Sequence, residues 1–158
     1  MKLLSGVLGK KKIGDDGKPV HKAWEHANIA QLACDEATGW EGCKDIVAEG
    51  ATFSCQCDTF KDTKTVKEYV DWCQGFGKIC PGATFTVKFK TFDPDTSTAI
   101  FVCSYHATHT GEGGPVEATG KSTDTDYVYK MIFNDDDKIV SMSKVWNDVW
   151  ACKGLGWM

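Results

Sequence analysis

The second half of the chain carries four long segments of alternating side chains, and this pattern restricts the fold more than any other feature of the sequence. Residues 84–92 show it most clearly, because β-branched and aromatic side chains dominate the segment. Asp-Pro-Asp at residues 93–95 is a turn signal between this segment and the next. We predict strands over residues 84–92, 100–110, 122–133 and 139–150. Consecutive strands of this length indicate an antiparallel sheet.

The first half of the chain has helical spacing instead. Apolar side chains recur three and four residues apart at Val20, Ala23, Ala27, Ala30 and Cys34, which predicts a helix of about four turns. We expect a short second helix over residues 40–49 and a brief strand over residues 51–56. Thr65 and Glu68 form a capping-box pattern that predicts the start of a third helix. Helices grouped before strands predict the α+β class, with three N-terminal helices packed on one face of a curved antiparallel sheet.

A single domain accounts for most of the chain. The loop signal GDDGKP at residues 14–19 marks its beginning, so we interpret residues 1–18 as an N-terminal extension and residues 19–158 as the domain. The short apolar stretch near the start offers no clear signal-peptide cleavage site. No later run approaches the roughly 20 apolar residues that span a bilayer. We therefore expect a cytoplasmic protein that has no membrane partner.

The charge composition argues against a nucleic-acid partner. The 158 residues include 18 basic side chains against 22 acidic ones, for a net charge of −4, and every basic residue is a lysine. A nucleic-acid-binding protein usually shows a basic stripe, with arginines that fork onto phosphates and guanines. We therefore expect no nucleic-acid partner, and a pocket whose fixed cation can only be a lysine.

The sequence contains eight cysteines, and their spacing includes no CxxC pair. This spacing signals neither a zinc ribbon nor a thioredoxin-like redox site. Four cysteines fall on predicted buried segments and are interpreted as small core residues: Cys34, Cys43, Cys73 and Cys103. The other four stay open between free thiols and disulfides: Cys55, Cys57, Cys80 and Cys152. In Cys55-Gln56-Cys57 the two thiols share one face of an extended segment, which leaves a metal or redox role as an alternative to packing.

Two segments resemble the SnoaL-like proteins. His109-Thr110-Gly111-Glu112 is followed after six residues by Thr119-Gly120-Lys121, and members of that family often have HTGE, a short loop and then TGK or TGR. Residues 138–157, KIVSMSKVWNDVWACKGLGW, are similar to the last strand and tail of the family. On this resemblance the chain is identified as a SnoaL-like member of the nuclear transport factor 2-like superfamily.

The resemblance implies a cystatin-like α+β cone, in which helices close over a curved sheet and leave an internal pocket. It also implies a homodimer formed through the outer face of the sheet. SnoaL-like proteins and their relatives include polyketide cyclases, isomerases, dehydratases, epoxide hydrolases and proteins with no assigned reaction. The fold alone therefore does not determine the function.

A cofactor-independent enzyme with this fold needs an acid or base in an apolar pocket, and a second donor for the developing enolate oxygen. The predicted strand over residues 122–133 has aromatic side chains on one face and acidic ones on the other. The catalytic candidates are His106, Asp126, Tyr127 and Tyr129. Asp126 could instead be solvated or lie at a dimer surface, and the tyrosines could be core aromatics. We expect His109 to form a structural hydrogen bond across its hairpin.

A second set of residues is predicted to bind a flat, hydrophobic ligand: Trp24, Tyr105, Met131, Lys144, Trp146 and Asp148. Lys144, Trp146 and Asp148 are expected on one face of the last strand. A buried lysine there would be an acid, base or enolate partner, because its pKa falls on desolvation. The sequence has no metal-ligand motif, so we expect neither a metal nor another cofactor.

Two functions remain open on the sequence. The first is a SnoaL-like enzyme that performs acid/base chemistry, as a cyclase, isomerase or lyase, on a small hydrophobic carbonyl compound. The alternative is a non-catalytic module of the same fold, which binds a hydrophobic ligand or assembles as a dimer. The two differ in whether titratable side chains, His106 or Asp126 above all, point into a cavity beside Tyr127 or Tyr129.

Overall fold

The computed structural model describes residues 21–158, so the predicted N-terminal extension lies outside the described residues. In chain order the elements are α1 Lys22–Asp35, β1 Val47–Cys55, α2 Val66–Ile79, β2 Thr84–Asp93, β3 Thr98–Thr108, β4 Ser122–Phe133, β5 Ile139–Trp146 and α3 Asp148–Leu155. The predicted α+β class and the curved sheet are confirmed.

Five strands form one sheet in the order β1-β5-β4-β3-β2. The strands β2 to β5 pair antiparallel, as the alternating segments predict, whereas β1 pairs parallel with β5 and makes the sheet mixed. The register pairs Tyr129 of β4 with Lys144 of β5, and Cys55 of β1 with the same lysine. Three strands therefore converge at Lys144.

The short helix predicted over residues 40–49 does not form. Two 3-10 turns, Trp40–Gly42 and Lys44–Ile46, replace it, and β1 already begins at Val47. Gly39 opens the first turn at a φ of 84°, and Val47 pairs with Ile139 of β5. From Val47 onward the chain pairs with β5 at the edge of the sheet. This pairing is more stable than an isolated helix of barely two turns, because helix nucleation is costly.

The capping box predicted at Thr65 is present. The Thr65 hydroxyl accepts from the Glu68 backbone N–H at 3.2 Å, while Glu68 accepts from the Thr65 N–H at 2.9 Å. The last predicted strand, by contrast, ends at Trp146 rather than at residue 150. Asn147 caps α3 there by accepting from the Trp150 N–H at 3.0 Å, a preference of asparagine that competes with strand continuation.

The core lies between the helices and the inner face of the sheet. Tyr127, Tyr129, Met131 and Phe133 are buried on that face, while Asp124, Asp126 and Lys130 of the same strand are exposed. This alternation confirms the predicted face assignment of β4. Among the described residues, no helix is long and apolar enough to cross a membrane.

Candidate active site

A small cavity lies between the sheet and helices α2 and α3. Its volume is about 40 Å³, which is room for about three water molecules. Aromatic and thiol-bearing side chains form most of its wall, and two ionisable groups of opposite charge type, Asp35 and Lys144, also line it. The wall includes Asp35, Tyr69, Trp72, Phe76, Tyr127, Tyr129, Lys144, Trp146 and Trp157.

Asp35, the last residue of α1, is buried among hydrogen-bond donors. The Tyr127 hydroxyl donates to its Oδ2 at 2.6 Å, and the Gln31 side-chain amide donates to the same oxygen at 2.6 Å. The Tyr129 hydroxyl donates to Oδ1 at 3.1 Å. A carboxylate that is desolvated needs such donors, because an unpaired buried charge is strongly unfavourable.

A chain of hydroxyl groups connects Asp35 to Lys144. Lys144 Nζ donates to the Tyr69 hydroxyl at 3.0 Å, and the Tyr69 and Tyr129 hydroxyls lie 2.7 Å apart. With Tyr69 as the donor in this pair, every hydrogen in the chain points from the ammonium group toward the carboxylate. One concerted shift along these bonds would transfer a proton from Lys144 to Asp35, which converts an ionised pair into a neutral one.

Aromatic rings surround the Lys144 ammonium group. The Nζ atom lies 4.5 Å from the ring centre of Trp146 and 5.0 Å from that of Tyr127. The rings of Phe60, Tyr69 and Tyr129 are also within 6 Å. Contacts with ring faces offset part of the desolvation of the cation, so the site can hold a buried lysine without a direct carboxylate partner.

Burial moves both ionisable groups toward their neutral forms. Desolvation raises the pKa of Asp35, although the bonds from Tyr127 and Gln31 and the charge of Lys144 act in the opposite direction. Desolvation likewise lowers the pKa of Lys144, opposed by negative charge on neighbouring groups. A carboxyl group with a raised pKa and an amine with a lowered pKa are the forms that enzymes use to exchange protons near neutral pH.

An open depression of about 540 Å³ lies outside the cavity. Four residues line both spaces: Trp72, Phe76, Cys152 and Trp157. These side chains therefore form the wall between the exposed depression and the enclosed cavity. Ile79, Pro115 and Met158 add apolar surface to the depression.

The HTGE segment holds this wall in place. His109 is fully buried, and its backbone bonds across the hairpin to Lys121 and Gly120 at 2.9 Å each. The structural bond expected of its side chain is a long one, from the Thr119 N–H to Nδ1 at 3.4 Å. The same Nδ1 atom accepts from the Trp157 indole N–H at 3.0 Å. Gly111 donates from its N–H to the Ile79 carbonyl at 2.8 Å, which joins the hairpin to the end of α2.

The structure brings half of the sequence candidates together at the cavity. Tyr127, Tyr129, Tyr105, Lys144 and Trp146 all line it. Asp148 lies instead at the start of α3, where Oδ2 accepts from the Thr59 N–H and hydroxyl at 3.0 Å each, beside the outer depression.

The other candidates lie elsewhere. His106 and Asp126 are on the outer face of the sheet, where their side chains are 50% and 70% exposed and pair with Asp124 and Lys88. They do not reach the cavity, because residues next to an inward-facing position of a strand point outward. Trp24 stacks on Phe101 away from the cavity, and Met131 is part of the core.

Sequence reasoning missed Asp35, the central group of the site. The signal was nevertheless present, because Ala23, Ala27, Gln31 and Asp35 follow one another at a spacing of four on the buried side of α1. Two polar residues that continue an apolar row predict a buried polar interaction at the end of the helix. Among the residues that the structure describes, no group of three or more His, Cys, Asp or Glu side chains is arranged to hold a metal ion.

Helices packed over a curved, mixed sheet give the chain the nuclear transport factor 2-like α+β cone fold, which SnoaL-like proteins share. No protein-family model matches the chain, and comparison with curated proteins finds no match. Solved structures, by contrast, match most of the chain.

Three of these structures illustrate the likeness. IdmH from Streptomyces antibioticus, a candidate polyketide cyclase, superposes with a TM-score of 0.68 at 18% identity over 86% of this chain and 99% of its own. AclR from Streptomyces galilaeus, a candidate hydroxylase, gives 0.67 at 19% identity over 87% and 97%. A candidate SnoaL-like polyketide cyclase from Jannaschia sp. CCS1 gives 0.66 at 11% identity over 88% and 97%. At these identities the likeness concerns the fold.

Proposed function

We propose that the protein is a SnoaL-like enzyme that performs cofactor-independent acid/base chemistry, as a cyclase, isomerase or lyase, on a small hydrophobic carbonyl compound. One observation carries the proposal: a buried carboxyl group, Asp35, lines an aromatic cavity and is connected through two tyrosine hydroxyls to a buried lysine. The candidate cyclases among the solved structures of this fold support the reaction class.

In this proposal Asp35 is the general base. Burial raises its pKa, which makes the carboxylate a stronger base toward a C–H group next to a carbonyl. When Asp35 takes this proton, the electron pair of the C–H bond moves into the carbonyl and forms an enolate. The Tyr127 or Tyr129 hydroxyl then donates to the enolate oxygen.

The proton taken by Asp35 has two useful destinations. In a substrate with a double bond next to the reacting carbon the enolate is conjugated, and return of the proton to the far carbon of this conjugated system gives an isomerase. Attack of the enolate carbon on a second carbonyl of the substrate gives a ring, and the new alkoxide takes up a proton. Lys144 can deliver that proton through Tyr69 and Tyr129, and the proton left on Asp35 then returns to Lys144 along the same hydroxyls, which restores both groups.

Size and polarity restrict the substrate. A cavity of about 40 Å³ holds only a few water molecules, so a substrate must displace part of the wall formed by Trp72, Phe76 and Trp157. The same three rings face the outer depression. Entry from that side would place an apolar ring system among aromatic side chains and the reacting carbonyl near Asp35.

Hydrogen–deuterium exchange tests the proposal without knowledge of the natural substrate. The protein is incubated in D₂O with cyclohexanone, 2-tetralone and acetophenone, and loss of the signal from the hydrogens next to the carbonyl is followed by NMR. We expect the wild type to accelerate exchange of at least the bicyclic ketone. Asp35→Asn should abolish the acceleration, because an amide cannot accept the proton as a base.

A matched control and a competing candidate make the outcome decisive. Asp95→Asn, a charge-neutralising change in the exposed β2–β3 turn, should exchange at the wild-type rate. If Asp126→Asn rather than Asp35→Asn abolishes exchange, the base is on the outer face and the proposal is wrong. Saturable binding of the ketones without exchange by any variant would support the non-catalytic, ligand-binding alternative instead.

The outer face of the sheet and the adjoining start of α3 supply a surface for a homodimer. Phe89, Val145 and Trp150 are 57%, 70% and 65% exposed there, which is unusual for side chains of this size. The ion pairs of Asp126 with Lys88 and of Asp124 with His106 lie on the sheet face itself. We propose that a second copy of the chain covers this surface.

A further inference from the structure

Two cysteines at the end of β1 lie in contact. Cys55 is the last residue of the strand, and Cys57 follows in a bend. Their Sγ atoms are 3.3 Å apart, and both side chains are half-buried rather than enclosed in the core. The acid/base site leaves these thiols unused.

The separation of the two sulfurs permits a bond after a small movement. A disulfide bond is about 2.05 Å long, so the sulfur atoms need to approach by roughly 1.3 Å. Cys57 lies outside the sheet ladder, so rotation of its side chain and a small change in the bend can supply this movement. The other cysteines most useful for comparison, Cys34 and Cys103, are buried and cannot meet a reagent without unfolding.

The surroundings assign different roles to the two thiols. Burial and the contact with Cys57 raise the pKa of Cys55 to about 12, so Cys55 keeps its hydrogen at neutral pH. It can therefore donate that hydrogen to the sulfur of Cys57. Cys57 is the attacking sulfur in this arrangement, and Cys55 is the resolving thiol.

We propose that Cys55 and Cys57 form a redox-active dithiol, which closes to an intramolecular disulfide by exchange with a low-molecular-weight disulfide such as oxidised glutathione. The Cys57 thiolate attacks one glutathione sulfur, breaks the glutathione disulfide and releases one glutathione thiolate. Cys55 then attacks Cys57 Sγ, releases the second glutathione and gives up its proton to it. In total the protein loses two protons and two electrons, and oxidised glutathione gains them as it becomes two glutathione thiols.

The segment after Cys57 links this dithiol to the candidate active site. Thr59 is bonded to Asp148 at the outer depression, and Phe60 packs on Trp72 and Trp146. The Phe60 ring also lies 5.5 Å from Lys144 Nζ. Closure of the disulfide moves the start of this segment, so the fluorescence of the two tryptophans should change with the redox state.

Peptide mapping tests the proposal directly. The full-length protein is reduced, freed of reductant and incubated with oxidised glutathione, and it is then unfolded, alkylated and digested with trypsin. The peptide of residues 45–61, between Lys44 and Lys61, contains Cys55 and Cys57 and no other cysteine. We expect it to be unalkylated and lighter by two hydrogen atoms than the reduced peptide, while the peptides of Cys34 and Cys103 stay alkylated.

Two variants test the assigned roles. Cys55→Ser should stop at a stable glutathione adduct on Cys57, because the resolving thiol is missing. Cys57→Ser should leave Cys55 no more reactive than Cys34. A peptide 45–61 that keeps two alkylated thiols, or that is cross-linked to another cysteine peptide, would overturn the proposal. Rapid adduct formation on Cys55 in Cys57→Ser would overturn it as well, and wild-type mapping decides the question if a variant does not fold.

Discussion

Replacement of Tyr129 by phenylalanine tests whether the buried hydroxyl chain stabilises the protein. The Tyr129 hydroxyl donates to Asp35 Oδ1 at 3.1 Å and lies 2.7 Å from the Tyr69 hydroxyl. Loss of a bond to a charged group costs about 1.5–3 kcal/mol, and the Tyr69 hydroxyl, which keeps its bond from Lys144 but loses the acceptor for its own hydrogen, adds about 1–3 kcal/mol. Because a water molecule in the adjacent cavity can replace part of this bonding, we expect the free energy of unfolding to fall by about 2–4 kcal/mol.

Urea unfolding at pH 7, followed by tryptophan fluorescence, measures the change as a lower midpoint at an unchanged slope. Tyr105→Phe is the matched control, because Tyr105 lines the same cavity and no hydrogen bond of its hydroxyl is seen within the described residues. We expect this control to cost less than about 0.5 kcal/mol. Equal effects of the two substitutions would show that the hydroxyl chain contributes nothing, and the reasoning would be wrong.

A double-mutant cycle isolates the contact between the two hydroxyls. Tyr69→Phe should be destabilising for the same reason as Tyr129→Phe, since each removes one hydrogen bond from the other hydroxyl. The double variant removes both groups together, so its cost should be smaller than the sum by about 1–2 kcal/mol. Strict additivity would mean that Tyr69 and Tyr129 are not coupled, and that Lys144 is not linked to Asp35 through them.

Three further predictions concern backbone packing, pH and assembly. Gly111→Ala should lower the free energy of unfolding by more than about 2 kcal/mol, because the added Cβ would lie 2.0 Å from the Lys78 carbonyl oxygen. Gly75→Ala is the control, because a Cβ there meets no atom within 4 Å, and it should raise the free energy of unfolding by about 0.5–1 kcal/mol. Equal urea midpoints of the two variants would contradict this prediction. Burial raises the pKa of Asp35 above 3.8, so the stability that it contributes is complete below that pH and is lost as the pH rises through the folded pKa. As the pH rises from 4 to 7, the free energy of unfolding measured with urea should fall for the wild type relative to Asp35→Asn. An equal pH dependence of the two proteins would refute this prediction. Val145→Lys should convert a dimer to a monomer in light scattering, and an unchanged mass would exclude this surface.

Local sequence patterns predicted most of the fold. Strict alternation located β4 to the residue, because a half-buried strand imposes a period of two on every side chain along it. The capping box located the start of α2 in the same way. The errors fall where one local preference competes with another. Residues 40–49 have helical spacing, but they form two 3-10 turns and the start of β1. Asn147 caps α3 and so ends the last strand earlier than the alternation predicts.

The candidate site was harder to predict because its groups come from four elements. Asp35 ends α1, Tyr69 lies in α2, Tyr129 in β4 and Lys144 in β5. Tyr129 and Lys144 were visible in the sequence as candidates for the inner face of the sheet, yet nothing in a single strand or helix specifies which hydroxyl meets which charge. The search for a base favoured acidic residues near the tyrosines in sequence, and Asp126 is next to Tyr127. Adjacent residues of a strand face opposite sides of the sheet, so sequence proximity was the wrong criterion.

The buried row of α1 that ends in Gln31 and Asp35 suggests a better criterion for finding the base in the sequence. A helix that packs on a sheet buries one face, and a carboxyl group on that face costs several kcal/mol unless donors meet it. The inward tyrosines of β4 are the donors that the sheet offers, and Lys144 is the cation that balances the charge. Asp35 on the buried row therefore implies partners such as Tyr127 and Tyr129, and these in turn locate the cavity. The charge that is most costly to bury is thus the best guide to the site, because a chain keeps it only where the surrounding groups can satisfy it.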